Sequence, residues 1–92
     1  MKRVVFYAIA YKKDKLLLFE RDGKRVDVCC WDDVRDATLF SSKEEAVSTL
    51  KELTGQKPKE FGYHFWDFQK CDMIESNLSI VKVSVSFKES EE

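Results

Sequence analysis

Four side chains have the types that bind a metal or attack an electrophile: Cys29, Cys30, His64 and Cys71. Zinc sites draw their ligands from close pairs such as C-x₂-C. Here the one close pair is vicinal, and adjacent residues on a strand point to opposite faces. A disulfide between Cys29 and Cys30 would need strained geometry, and an odd cysteine count is no disulfide framework. Nothing local activates a thiolate for nucleophilic work with His64. The sequence therefore predicts reduced cysteines packed as small hydrophobes, with no metal, no cofactor and no catalytic residue. Glycine-rich phosphate loops are excluded, because the chain holds only three glycines.

Carboxylates form a second set. Asp32, Asp33 and Asp36 precede the central helical stretch, and Asp67 and Asp72 follow it. Acid–base chemistry needs two carboxylates in different environments around one pocket, which spacing alone does not provide. The first three read as a solvated loop that can present an acidic patch to a basic partner.

Aromatic residues are the third set and the most suggestive. Phe61, Tyr63, Phe65, Trp66 and Phe68 put five rings into eight residues, more than one face of a strand can bury. If Phe61, Tyr63 and Phe65 face the core, Trp66 and Phe68 face the other way beside His64. Such a cluster is either covered by a loop or second subunit, or marks a partner interface. It can also stack on unpaired bases.

The elements that position these groups follow from periodicity. Ser41 to Gly55 reads as a helix. Ser41 and Ser42 each precede a glutamate by three residues, giving a capping box in either register. Ala46, Val47, Leu50 and Leu53 form an apolar stripe, Gly55 suits the left-handed stop, and Pro58 blocks continuation. Glu44, Ser48, Lys51 and Glu52 fall on the opposite, solvated side. Arg3 to Tyr11 is apolar on both alternating sets, as in a central strand. Leu16 to Phe19 returns from a lysine-rich turn, and Asp22-Gly23 is a hairpin signal leading to Arg25–Trp31. Phe61 to Phe68 reads as a strand. Leu78 to Phe87 is the cleanest one, with Val81, Val83, Val85 and Phe87 opposite Lys82, Ser84 and Ser86. The expected fold is α+β: a two-layer sandwich of one helix on a mostly antiparallel sheet of four to five strands, ordered βββ-α-β-β. The last strand is expected beside the first. Residues 1–88 make one domain, and the acidic residues 89–92 a frayed tail.

Composition narrows the function classes. With 43% hydrophobic residues the chain can build a core, and 16 basic against 17 acidic side chains leave a net charge of -1. That balance disfavours a generic nucleic-acid binder. The basic residues gather at two turns that lie at opposite ends of a meander. No segment approaches the roughly 20 apolar residues of a membrane span, so a cytoplasmic protein is expected.

The stretch Trp31 to Leu53, above all Ala37-Thr-Leu-Phe40-Ser-Ser-Lys-Glu-Glu45-Ala46, resembles a pattern of small phage- and prophage-encoded proteins. In these a hairpin leads through A-x-x-F-x-x-x-x-E-A into one helix and a valine-rich strand. The resemblance implies a bacterial host cell and a role such as inhibition of host defence, as in anti-CRISPR proteins. It assigns no functional residue, and residues 61–72 depart from it. The expected function is thus a small non-enzymatic binding protein that occupies a host-protein surface, with His64, Trp66, Phe68, Asp32, Asp33 and Asp36 as contacts. A base-stacking nucleic-acid module is the alternative. Homodimerisation through an edge strand or the aromatic face is compatible with both.

Overall fold

The computed structural model describes residues 2–32, 34–66 and 71–87, with the side chains of Lys2 and Phe87 left aside. Its elements run β1 (Lys2–Tyr11), β2 (Lys15–Asp22), β3 (Arg25–Trp31), α1 (Lys43–Leu53), β4 (Gly62–Phe65) and β5 (Leu78–Phe87). The strands form one sheet in the order β4-β3-β2-β1-β5. All pairs are antiparallel except β3 with β4, which are parallel. The fold is α+β, with the single helix packed against a five-stranded, mostly antiparallel sheet. As the pattern predicts, β5 lies beside β1, over ten register pairs from Lys2↔Phe87 to Tyr11↔Leu78.

α1 is bounded by chemistry visible in its sequence. Ser42 is the N-cap, its Oγ accepting the Glu45 N–H at 3.2 Å. Glu45 does not close the box onto Ser42; one of its carboxylate oxygens accepts from the Ser41 hydroxyl at 3.3 Å instead. At the other end Gln56 N–H reaches the Lys51 carbonyl and Gly55 N–H the Glu52 carbonyl. Gly55 has φ +76°. Together these bonds make the Schellman stop that a C′ glycine permits. Ala46 and Leu53 are buried, and Leu50 packs against the core, whereas Val47 lies at the margin among Lys43, Glu44 and Lys51.

The core sits between α1 and one sheet face. Ile9 and Tyr11 of β1, Leu17 of β2, Val26, Val28 and Cys30 of β3, and Leu78 of β5 cluster with Leu53. Full burial of Ile9, Leu17 and Val28 contributes about 1.5–3 kcal/mol each. Glu52 corrects the sequence reading, which placed it on the solvated side of α1. It is 5% exposed. Its Oε1 accepts the Glu60 N–H at 2.8 Å and the Tyr63 hydroxyl at 3.3 Å. A buried carboxylate is tolerated because those donors satisfy it.

One feature was not foreshadowed by periodicity. β1 and β2 pair only at Ala10↔Leu16 and Tyr11↔Lys15 and then part. Residues 38–40 fill the gap. Phe40 exchanges backbone hydrogen bonds with Tyr7 at 2.7 and 2.9 Å. Thr38 N–H donates to the Leu17 carbonyl at 3.1 Å, and its Oγ1 accepts the Phe19 N–H at 2.8 Å. The approach to the helix is thus a wedge that satisfies both strand edges. Beyond it the N-terminal half of β1 pairs with β5 alone, among the described residues, and Val4 and Val5 are exposed. Thr38→Val keeps the shape but strands the Phe19 N–H, so it should lower stability by about 1–2 kcal/mol in chemical denaturation. An unchanged midpoint would show the wedge to be dispensable.

Candidate partner-binding surface

Strand alternation sorts the side chains into two faces. The α1 face takes Ile9, Leu17, Val28, Cys30, Tyr63 and Phe65, which pack into or against the core. The loop residues Phe40 and Phe61 also pack on this side. Cys71 and Met73 pack on the core, and the Asp72 N–H donates to the Tyr11 hydroxyl at 3.1 Å.

The opposite face is apolar as well. The register carries it from Phe6↔Val83 and Ala8↔Val81 through Leu16 and Leu18 to Cys29 and Trp31. Ala8, Ala10 and Cys29 are buried among larger neighbours, while Phe6, Leu18, Trp31, Val81 and Val83 keep part of their surface in solvent. The valines of β5, the clearest apolar stripe in the sequence, therefore point away from α1. The sheet is thus apolar on both faces, and among the described residues its helix covers one of them.

Four of the six contact residues expected from sequence lie among the described residues, and they fare differently. Trp66 reaches the expected side: its ring meets Trp31 edge-on at 6.2 Å, and its backbone N–H donates to the Val28 carbonyl at 3.4 Å. His64 is on the same side by alternation and is exposed. Asp32, just after Trp31, forms an exposed ion pair with Lys15 at 2.9 Å and holds the Lys15 ammonium above its ordinary value. Asp36 is exposed in a 3-10 turn over Val34–Asp36. Asp33 and Phe68, like Asp67, lie outside the described residues. Trp31 is the ring beside Trp66 that sequence reasoning passed over. The signal was present, since Trp31 shares a face with Asp27 and Cys29, alternating with Val26, Val28 and Cys30. Its indole N–H donates to the Cys29 sulfur at 2.9 Å, which fixes the ring over the sheet.

Among the described residues the strand expected over 61–68 spans Gly62–Phe65, with Phe61 and Trp66 outside it, and residues 67 and 68 lie outside the described residues. Its core-facing rings build a second feature, a cleft of about 210 Å³ between α1 and the sheet. Phe19, Phe40, Phe61 and Tyr63 wall it, with successive ring centroids 6.1–6.5 Å apart in edge-on contacts. The Arg21 guanidinium stacks on Phe61 at 4.5 Å. Such a cleft has room for about one apolar side chain and is small against ordinary ligand pockets.

The metal ligand set considered above does not converge. Cys29 and Cys30 take opposite faces, and among the described residues no three His, Cys, Asp or Glu side chains gather as a metal site. Also among these residues, no helix is long and apolar enough to cross a membrane. Comparison with protein-family models, curated proteins and solved structures gives no match for this chain.

Tyr63 joins the cleft to the buried Glu52. Its hydroxyl is pushed up to about 12 from 10.0, first by burial and then by the adjacent Glu52 carboxylate. Because the folded state favours the neutral phenol, this contribution to stability is full below pH 10 and is lost as pH rises through about 12. Tyrosinate absorbance should show one phenol ionising late, and Tyr63→Phe should remove it and flatten the high-pH loss of stability. A wild-type profile retained by Tyr63→Phe would assign the effect elsewhere.

Proposed function

We propose that the protein is a small non-enzymatic binding module that occupies a surface of another protein through the sheet face opposite α1. The observation that supports it is the apolar continuity of that face, from the Trp31–Trp66 pair across Leu18 to Phe6, Val81 and Val83. Aromatic anchors beside smaller apolar neighbours are the composition of interface hot spots. At this end Asp27 pairs with Arg25 and Asp32 with Lys15, each at 2.9 Å, so these two cations are engaged within the protein rather than free for a phosphate backbone, which favours a protein partner. His64 and Asp36 add polar rim contacts. The resemblance of residues 37–46 to small phage and prophage proteins puts the partner among host proteins of a bacterial cytoplasm, with a defence component as the particular target class.

The test is capture from bacterial lysate, with and without nuclease, using the wild type and two folded variants, Trp66→Ala and Val83→Lys. A stoichiometric protein should survive nuclease and bind Trp66→Ala about 30-fold more weakly, corresponding to about 2 kcal/mol. Val83→Lys should abolish capture by placing a charge in the apolar face. Capture indifferent to both substitutions would remove this face from the function. Capture lost on nuclease treatment would favour base stacking on the same rings.

A further inference from the structure

The three cysteines were expected to be inert packing residues, yet the fold gives them unequal roles. Cys30 on β3 and Cys71, separated by 41 positions, meet with their sulfurs 3.2 Å apart. Cys30 is 6% exposed, whereas Cys71 is half-buried and reachable from solvent. Cys29 is 1% exposed on the other sheet face, its sulfur held by the Trp31 indole N–H. One thiol is therefore accessible, one lies in contact behind it, and the third is sequestered.

From this placement we propose that Cys71 and Cys30 form a thiol–disulfide exchange site, reactive toward low-molecular-weight disulfides of the glutathione type. The Cys71 thiolate attacks one sulfur of the small disulfide, whose S–S bond breaks. The first small thiol departs and takes a proton from solvent. Cys30 then loses its proton to solvent and attacks the Cys71 sulfur of the mixed disulfide, displacing the second small thiol. Two protein thiols are oxidised to one disulfide, and one small disulfide is reduced to two thiols. Closing from 3.2 Å to a covalent S–S distance of about 2.0 Å is a movement that side-chain rotation and the loop at 71–74 can supply. Burial and the neighbouring Cys71 push the Cys30 thiol up to about 12, which slows the resolving step, while contact with Cys71 makes it intramolecular.

The bond would tie residues 71–74 to β3 one position before Trp31. Constraining so long a loop in the unfolded chain should raise the thermal midpoint by on the order of 10 °C, reversibly with reductant.

The folded protein is titrated in oxidised and reduced glutathione, acid-quenched and alkylated, then read by intact mass and peptide mapping. The wild type should lose two hydrogens, with Cys30 linked to Cys71 and Cys29 alkylated only after unfolding. Cys30→Ser should stop at a glutathione adduct on Cys71, and Cys71→Ser should give neither product. Cys29→Ala, which leaves the pair intact, should still form the bond even if the other variants fail to fold. A lasting glutathione adduct on wild-type Cys71, a bond to Cys29, or a bond between two chains would each overturn the proposal.

Discussion

The structure depends on how the edges of β1 and β2 are satisfied once the two strands part. Two adjacent strands that separate after two register pairs leave backbone donors and acceptors facing a gap, each costly if buried and unmet. Residues 38–40 close that gap from both sides, through Phe40 on Tyr7 and Thr38 on Leu17 and Phe19. The same three residues lead directly into the Ser42 cap, so helix entry and sheet integrity are one problem with one solution. Phe40 then places its ring against Phe19 and opens the wall of the aromatic cleft.

A second tie fixes the far end of the helix. Glu52 takes the Glu60 N–H and the Tyr63 hydroxyl, linking the last turn of α1 to the loop that delivers β4. Because α1 carries the chain across the sheet, β4 arrives parallel to β3 rather than in a hairpin. That orientation sets Tyr63 and Phe65 beneath the helix and turns His64 and Trp66 to the other side. Trp66 then meets Trp31, at the end of β3, in a contact between residues 35 positions apart.

These ties leave the molecule asymmetric. One face of the sheet has a helix, loops and a well-satisfied polar network, while the other has apolar side chains with part of their surface in water. In the N-terminal half of β1 and the paired part of β5 this asymmetry gives way to exposure on both faces, since Val4 on one side and Val5 on the other are 37% and 41% exposed. A two-stranded ribbon is marginal in water unless something packs on it. The binding module proposed above would gain from such an arrangement, because surface left apolar in the free protein becomes the driving force of association.

Much of this was legible in the chain itself. β3 and β5 match their predicted ranges, β1 starts one residue earlier, and α1 obeys its serine cap and glycine stop. Their signals are local: alternation, a capping side chain and a left-handed glycine act within a few residues. Periodicity also separates the two side-chain sets of a strand correctly, as it did for Trp66 and for Val81, Val83 and Val85. It cannot say which set faces the helix, because both sets of a doubly apolar sheet look alike. Only tertiary structure sent the β5 valines away from α1, buried Glu52, inserted Thr38 and Phe40 between two strands, and set Cys71 against Cys30. Each of these joins groups far apart in sequence or distinguishes faces of equal hydrophobicity. That choice is made by packing and hydrogen-bond satisfaction over the whole fold, which no local pattern encodes.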